Sequence, residues 1–329
     1  MPTIFRNTYS GTSDRMIVDH IAEFRLDPIF ARVSKVVDDR INVLLKLEGF
    51  NPGGSIKLKP AIALVNDLQR RGAIADNSIL IDTSSGNMGI ALAILAKSMG
   101  LGFVCVTDEK ITLHNHRLIQ AYGGEVVILE NSNQQDRNRY IGGRLAEDLR
   151  YVWTRQFENV ANPAVHEVTT AREILDSLAH VDYLFIGVGT GGTLAGCARV
   201  FSAESPDTLV IAVDAEGSRH FQPDCDAVRR RIPGIGASQR SPFIDDVTIH
   251  DAVIVPERAA VEHCKLLLER TGWLLGGSSG SVLSAVLSYA ERIPDGAMVV
   301  GVCADFGERY LDSVYTNQWG EMLVTSEVL

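Results

Sequence analysis

Four short stretches of the sequence carry groups that could act on a small anionic molecule. Asn51-Pro52-Gly53-Gly54-Ser55-Ile56-Lys57 is a glycine-rich turn that hands one lysine to the start of a predicted helix. A lysine that forms a Schiff base must be unprotonated part of the time and held on a rigid element; the dipole at a helix N-terminus favours the neutral amine. Lys59, two residues on, points to a different helix face and serves as the internal comparison. Gly189-Thr190-Gly191-Gly192-Thr193 follows an apolar run and opens a helix, which suits backbone N–H groups closing on a phosphate. Ser84-Ser85-Gly86-Asn87 lies between a strand and a helix, where hydroxyls and N–H groups can receive a carboxylate and the Asn87 amide can meet a phenolic oxygen. Gly276-Gly277-Ser278-Ser279-Gly280 has the same character.

Each stretch has competing readings. Gly187-x-Gly189-x-x-Gly192 satisfies a dinucleotide fingerprint, with Asp214 at the end of the next predicted strand where a ribose-binding acid belongs, so a nicotinamide enzyme fits this region alone about as well. The serine and asparagine cluster also fits a simple helix cap. His114 and His116 face different sides of a helix, which argues against a metal site, and His166 reads as a structural residue.

The elements that must position these groups alternate in type. Predicted strands at 42–47, 78–82, 102–107, 125–129, 183–187, 208–214, 252–255 and 297–303 are interleaved with predicted helices at 55–71, 88–99, 112–122, 193–204, 258–270 and 279–293. Pro60 is tolerable in the first of these helices because it falls in the first turn. Such alternation implies right-handed crossovers and a largely parallel sheet covered on both faces, an α/β fold. A polar interval at 153–162 divides two such runs, giving an expected N-terminal unit at 1–160 and a C-terminal unit at 161–329 with a cleft between them; residues 1–40 can pack on the second unit. Residues 1–20 and the Asp27-Pro28 region are expected to be an irregular or short-strand lead-in, and the Arg-, Gly- and Pro-containing stretch 216–246 a functional loop.

At 329 residues the chain can bury a sizeable core. A formal net charge of −10 argues against nucleic acid or an anionic membrane surface as partner, so an anionic substrate needs a local positive pocket. The five cysteines are scattered with no zinc spacing, which suits a reducing cytoplasm, and neither a signal pattern nor a membrane-length apolar run is present in the sequence.

Together, and in this order, the four motifs resemble the cysteine synthase and cystathionine β-synthase family of fold type II pyridoxal-phosphate enzymes, over about residues 47–311. The resemblance implies a homodimer in which Lys57 forms the Schiff base with pyridoxal 5'-phosphate. It implies further that Ser84, Ser85 and Gly86 hold the substrate carboxylate, that Asn87 meets the phenolic oxygen, that Gly189, Thr190, Gly191, Gly192 and Thr193 cradle the phosphate, and that Ser278 bonds the pyridine nitrogen. Gln156-Phe157, with Asn162-Pro163 and His166, looks like the second carboxylate-binding segment, and the dinucleotide reading loses because it leaves Lys57 and Asn87 unexplained.

The chain departs from the family pattern at Leu58-Lys59, Asp27-Pro28, Glu167 and Ile111-Thr112-Leu113-His114-Asn115-His116, which turns the expectation away from sulfide as co-substrate. The segments Lys110-Ile111-Thr112, Asp214-Ala215-x-Gly217-Ser218, Pro233-Gly234-Ile235-Gly236-Ala237-Ser238 and Gly307-Glu308-Arg309-Tyr310-Leu311-Asp312 are similar to one branch, whose members make N-(2-amino-2-carboxyethyl)-L-glutamate for 2,3-diaminopropionate and siderophore biosynthesis. That similarity implies O-phospho-L-serine as first substrate and the amine of L-glutamate as nucleophile. A cysteine synthase and a catalytically idle pyridoxal-phosphate-binding protein are the alternatives. Arg117, Arg219 and Arg240 are the candidate cations for a dianionic leaving group.

Overall fold

The computed structural model describes residues 18, 20–109, 111–225 and 230–316; the expected lead-in at 1–17 and Lys110 lie outside the described residues. In chain order the strands are β1 (Phe30–Arg32), β2 (Asn42–Leu47), β3 (Ile79–Thr83), β4 (Gly102–Thr107), β5 (Glu125–Ile128), β6 (Tyr151–Trp153), β7 (Tyr183–Gly187), β8 (Leu209–Ala215), β9 (Asp251–Val255) and β10 (Met298–Cys303). The helices are α1 (Ser34–Val37), α2 (Leu58–Arg70), α3 (Asn87–Ser98), α4 (Leu113–Ala121), α5 (Gln134–Glu147), α6 (Ala161–Val168), α7 (Thr170–Ser177), α8 (Gly192–Glu204), α9 (Glu257–Thr271) and α10 (Gly277–Tyr289).

The strands form two sheets. One has the order β1-β2-β10-β7-β8-β9 and the other β5-β4-β3-β6. Every pairing is parallel except β1 with β2. This is the α/β arrangement expected, and the apolar runs are buried on both faces because helices cover both: α9 and α10 on one side of the larger sheet, α7 and α8 on the other. In the smaller sheet α2 and α3 cover one face and α5 the other.

The polar interval at 153–162 is partly regular, ending β6 and beginning α6, whose Pro163 is accepted in the first turn. A division of the chain at residue 160 would group β2 with the first unit. Its hydrogen-bonded neighbours are β1 and β10, with Val43 opposite Val299 and Leu45 opposite Gly301, so β2 is a strand of the larger sheet. A six-residue strand buried along most of its length needs a partner on each side, and pairing with residues 256 positions away satisfies that without any local signature. Ser55 forms an antiparallel bridge with Asp305 just beyond β2, and α2 then crosses to the smaller sheet. Lys57 therefore stands where the chain passes from one sheet to the other.

Candidate active site

A cleft of about 570 Å³ runs between the two sheets. Lys57, Ser84, Ser85, Gly86, Asn87, Gln156, Gly189 and Thr190 all line it. They come from the carboxyl ends of β3, β6 and β7 and from the turn after β2, the strand ends at which α/β sheets present ligand sites.

Lys57 is the N-cap of α2, one position before the helix rather than inside it. Burial pushes its amine below the ordinary lysine range, and the negative charge of Asp305 opposes that shift. Lys59 is turned away: its Nζ lies 2.9 Å from Glu48 and 2.7 Å from Glu173, in a cluster shared with the buried Lys46. Burial disfavours the Glu48 carboxylate, but the charges of Lys59 and Lys46 outweigh it and hold the group down to about 2.

The loop after β3 is shaped by its own side chains. Ser84 Oγ accepts from the N–H groups of Gly86 at 3.1 Å and Gly89 at 3.0 Å, which tightens the turn into α3. Asn115 Nδ2 donates to the Ser85 carbonyl at 3.2 Å. Beneath the loop, buried Asp82 collects donors from Thr83 N (2.7 Å), Gln156 N (3.1 Å), Trp153 Nε1 (3.3 Å) and the Thr154 hydroxyl. Burial raises the Asp82 pKa against those hydrogen bonds. Gln156 Nε2 in turn donates to the Thr83 carbonyl at 2.5 Å, so Asp82 ties the Gln156 segment to the serine loop. Asp82 was not among the residues singled out from the sequence; an acid ending an apolar strand was its only signal.

At the other wall, Gly191 is the N-cap of α8 with φ +85°, a left-handed conformation, and a Cβ there would lie 2.6 Å from Ser241 Oγ. A Cβ on Gly189 would strike the Gly234 carbonyl and one on Gly192 the Asn162 side chain. The loop thus has no room for side chains at its three glycines, and Gly192 N donates to Thr190 Oγ1 at 3.3 Å. His220 Nε2 donates to the Gly189 carbonyl at 2.8 Å while Nδ1 accepts from Ser241 N at 3.2 Å, a neutral tautomer consistent with burial lowering its pKa. Thr193 meets His166 Nε2 at 3.3 Å, and His166 Nδ1 meets Thr170 Oγ1 at 2.9 Å, so His166 is a satisfied structural residue. Burial, reinforced by Lys59, holds it well below the usual histidine range.

Residues 30–305 match the family described as pyridoxal-phosphate dependent enzyme. The chain is a pyridoxal-phosphate-dependent enzyme. Among solved structures, the enzyme is similar to an O-ureido-L-serine synthase at 29% identity and TM-score 0.86, covering 94% of this chain and 100% of that one. An O-acetylserine dependent cystathionine beta-synthase from Helicobacter pylori has 28% identity and TM-score 0.85, covering 92% and 100% of the two chains. A hydrogen sulfide-producing enzyme from Fusobacterium nucleatum has 26% identity and TM-score 0.83, covering 90% and 99%.

The residues present fit the enzyme's cofactor. One cleft holds a lysine whose amine is biased toward the neutral form, and a backbone loop without space for side chains stands at its far wall. Gly191, Gly192 and Thr193 continue directly behind that wall into α8. Ser278 is the second residue of α10 and is half-buried outside the residues lining the cleft; Gly276, two positions before it, packs on the buried Asp305. Of the three candidate cations, Arg240 lines the cleft, whereas Arg117 and Arg219 are exposed outside it. The stretch expected as a functional loop supplies Arg230 and Arg231 as well, and Arg137 enters from α5 with its Nη1 3.0 Å from Asp108. These cations were missed because an isolated arginine in a sequence carries no sign of which surface it will face.

Proposed function

We propose that the enzyme catalyses β-replacement on an activated L-serine, with O-phospho-L-serine as first substrate and the amine of L-glutamate as nucleophile. The products are N-(2-amino-2-carboxyethyl)-L-glutamate, a precursor of 2,3-diaminopropionate, and phosphate. The observation that carries this reading is the single cleft in which Lys57, the serine loop and the phosphate-type glycine loop converge under a wall containing Arg230, Arg231 and Arg240. The chain carries a net charge of −10, so a cleft wall in which arginines outnumber the acids, Arg240 being paired with Asp245 at 2.7 Å, is a local feature suited to a phosphorylated leaving group and a dicarboxylic nucleophile. The names of the similar structures support the reaction class, because O-ureido-L-serine and cystathionine are both alanines substituted at Cβ.

Bound pyridoxal phosphate supplies the electron sink for breaking the substrate Cα–H bond. In this reading Ser84, Ser85, Gly86 and Gln156 hold the substrate carboxylate, and Gly189, Thr190, Gly191, Gly192 and Thr193 hold the cofactor phosphate. Asn87 and Ser278 address the phenolic oxygen and the pyridine nitrogen. The Lys57 amine would take the Cα proton and later return it. Between those two transfers the Cβ–O bond breaks with departure of phosphate, and the glutamate nitrogen forms the Cβ–N bond and gives up a proton. A neutral Ser278 hydroxyl does not hold the pyridine nitrogen protonated as an aspartate would, which suits β-chemistry over transamination. A homodimer in the cytoplasm completes the proposal.

The test is product mass after offering O-phospho-L-serine, O-acetyl-L-serine or L-serine with L-glutamate or sulfide. A glutamate adduct formed from O-phospho-L-serine is expected. Cysteine without a glutamate adduct would assign the enzyme to cysteine synthesis, and the absence of any product from all three amino acids would make it an idle cofactor-binding protein.

A further inference from the structure

The Asn87 carboxamide has a donor end and an acceptor end of nearly equal size, so its orientation is set only by its neighbours. Those neighbours carry opposite charges. Asn87 Nδ2 donates to Asp305 Oδ2 at 2.6 Å, and Asn87 Oδ1 accepts from Arg309 Nη1. A flipped amide would set its oxygen against a carboxylate and its NH2 against a guanidinium, replacing two charge-assisted hydrogen bonds by two repulsions.

Neither charge is loose. Arg309 Nη2 donates to the Gly53 carbonyl at 2.6 Å, in the turn that delivers Lys57. Tyr310 Oη donates to Asp305 Oδ2 at 2.5 Å, and Gly276 N donates to the Asp305 carbonyl at 3.1 Å. Asp305 is 2% exposed, its Oδ1 is buried with no hydrogen-bond partner among the described residues, and its backbone bridges to Ser55, two residues before Lys57. A buried carboxyl group with one oxygen left without a donor is costly to the fold.

We propose that Asp305 and Arg309 are positioning residues that clamp the Asn87 carboxamide in one orientation and so present its second Nδ2–H to the phenolic oxygen of bound pyridoxal phosphate. The inference rests on the reading of Asn87 as the partner of that oxygen. Asp305 takes one of the two amide protons and leaves one for the cofactor. A donor on the phenolic oxygen favours the form in which oxygen is negative and the lysine-linked nitrogen keeps the proton, which is the form that absorbs in the visible.

The experiment compares reconstituted holoenzymes: wild type, Asn87→Ala, Asp305→Ala, Asp305→Asn, Arg309→Met and the double variant Asn87→Ala/Asp305→Ala. The readouts are the ratio of the visible to the near-ultraviolet band of the bound cofactor and the cofactor dissociation constant. Asn87→Ala is expected to move the ratio toward the near-ultraviolet form and to weaken cofactor binding by ~10-fold. Asp305→Ala and Arg309→Met are expected to move the ratio the same way by a smaller amount, Asp305→Asn to recover most of it through its remaining acceptor oxygen, and the double variant to go no further than Asn87→Ala. A wild-type ratio in both Asp305→Ala and Arg309→Met, or a double-variant shift equal to the sum of the singles, would overturn the clamp. Should Asp305→Ala fail to fold, the half-buried Arg309 tests the same clamp from the other end. A wild-type ratio in Asn87→Ala itself would remove the premise, leaving the Lys57 assignment to be judged separately by whether Lys57→Ala keeps the band.

Discussion

The two lysines of the glycine turn show how much a shift of two residues decides. Lys57 faces the cleft with an amine that burial biases toward neutrality, while Lys59 is held by Glu48 and Glu173. Lys57→Ala is therefore expected to abolish the visible band of the bound cofactor, checked by absorption of the purified, reconstituted protein. Lys59→Met should keep the band yet unfold earlier in urea, by roughly 2–4 kcal/mol, because it leaves the buried Glu48 with one ammonium partner in place of two. The sequence named Lys57 from its turn and identified Lys59 as facing elsewhere by helical geometry. It gave no sign of the acid partners, since Glu48 and Glu173 lie 11 and 114 residues from Lys59. Asp82 and Asp305 were likewise invisible: a carboxylate becomes a scaffold only once burial and converging donors surround it.

At the scale of elements, strands and helices that present a strong local pattern were legible. Asn42–Leu47, Gly102–Thr107 and Tyr183–Gly187 fall where their apolar runs place them. The helix start at Leu58 rather than 55 reflects the tight hydrogen-bonded turn in which Asn51 Nδ2 donates to the carbonyls of Glu48 and Ser55. The short strand Tyr151–Trp153 was not separable from the polar interval beside it, because three residues carry no period and its pairing is with the distant Ile79–Ile81 stretch. The glycine loop before α8 yields a direct prediction. Gly191→Ala combines a left-handed backbone cost of about 1–2 kcal/mol with contact against Ser241, and should weaken cofactor binding by an order of magnitude or more in a fluorescence titration. Gly272→Ala, with φ +76° but no neighbour within 4 Å of the added carbon, should lose about 1 kcal/mol of stability and leave cofactor affinity unchanged.

For the whole molecule, the cluster of Lys46, Glu48, Lys59 and Glu173 links β2, α2 and α7, and so joins the larger sheet to the helix that Lys57 caps. The folded-state carboxyl of Glu48 lies below its unfolded value of 4.5, at about 2, so its contribution to stability is fully present above the unfolded value and is lost as pH falls toward the folded one. Chemical denaturation across that acid window should show the loss in the wild type, and Glu48→Gln should be less stable at neutral pH and flatter through the window. What the amino-acid sequence determined by itself is the alternation that makes an α/β fold and the four glycine- and serine-rich turns whose combination resembles a pyridoxal-phosphate family, because hydrophobic period and turn chemistry act over a few residues. Only the tertiary structure decided that β2 pairs with β10, that Arg240 faces the cleft while Arg117 and Arg219 do not, and that Asn87 lies between Asp305 and Arg309. Those outcomes rest on contacts between segments more than 200 residues apart, or on the face of a loop that becomes defined only when the two sheets close on each other, and no local pattern encodes them.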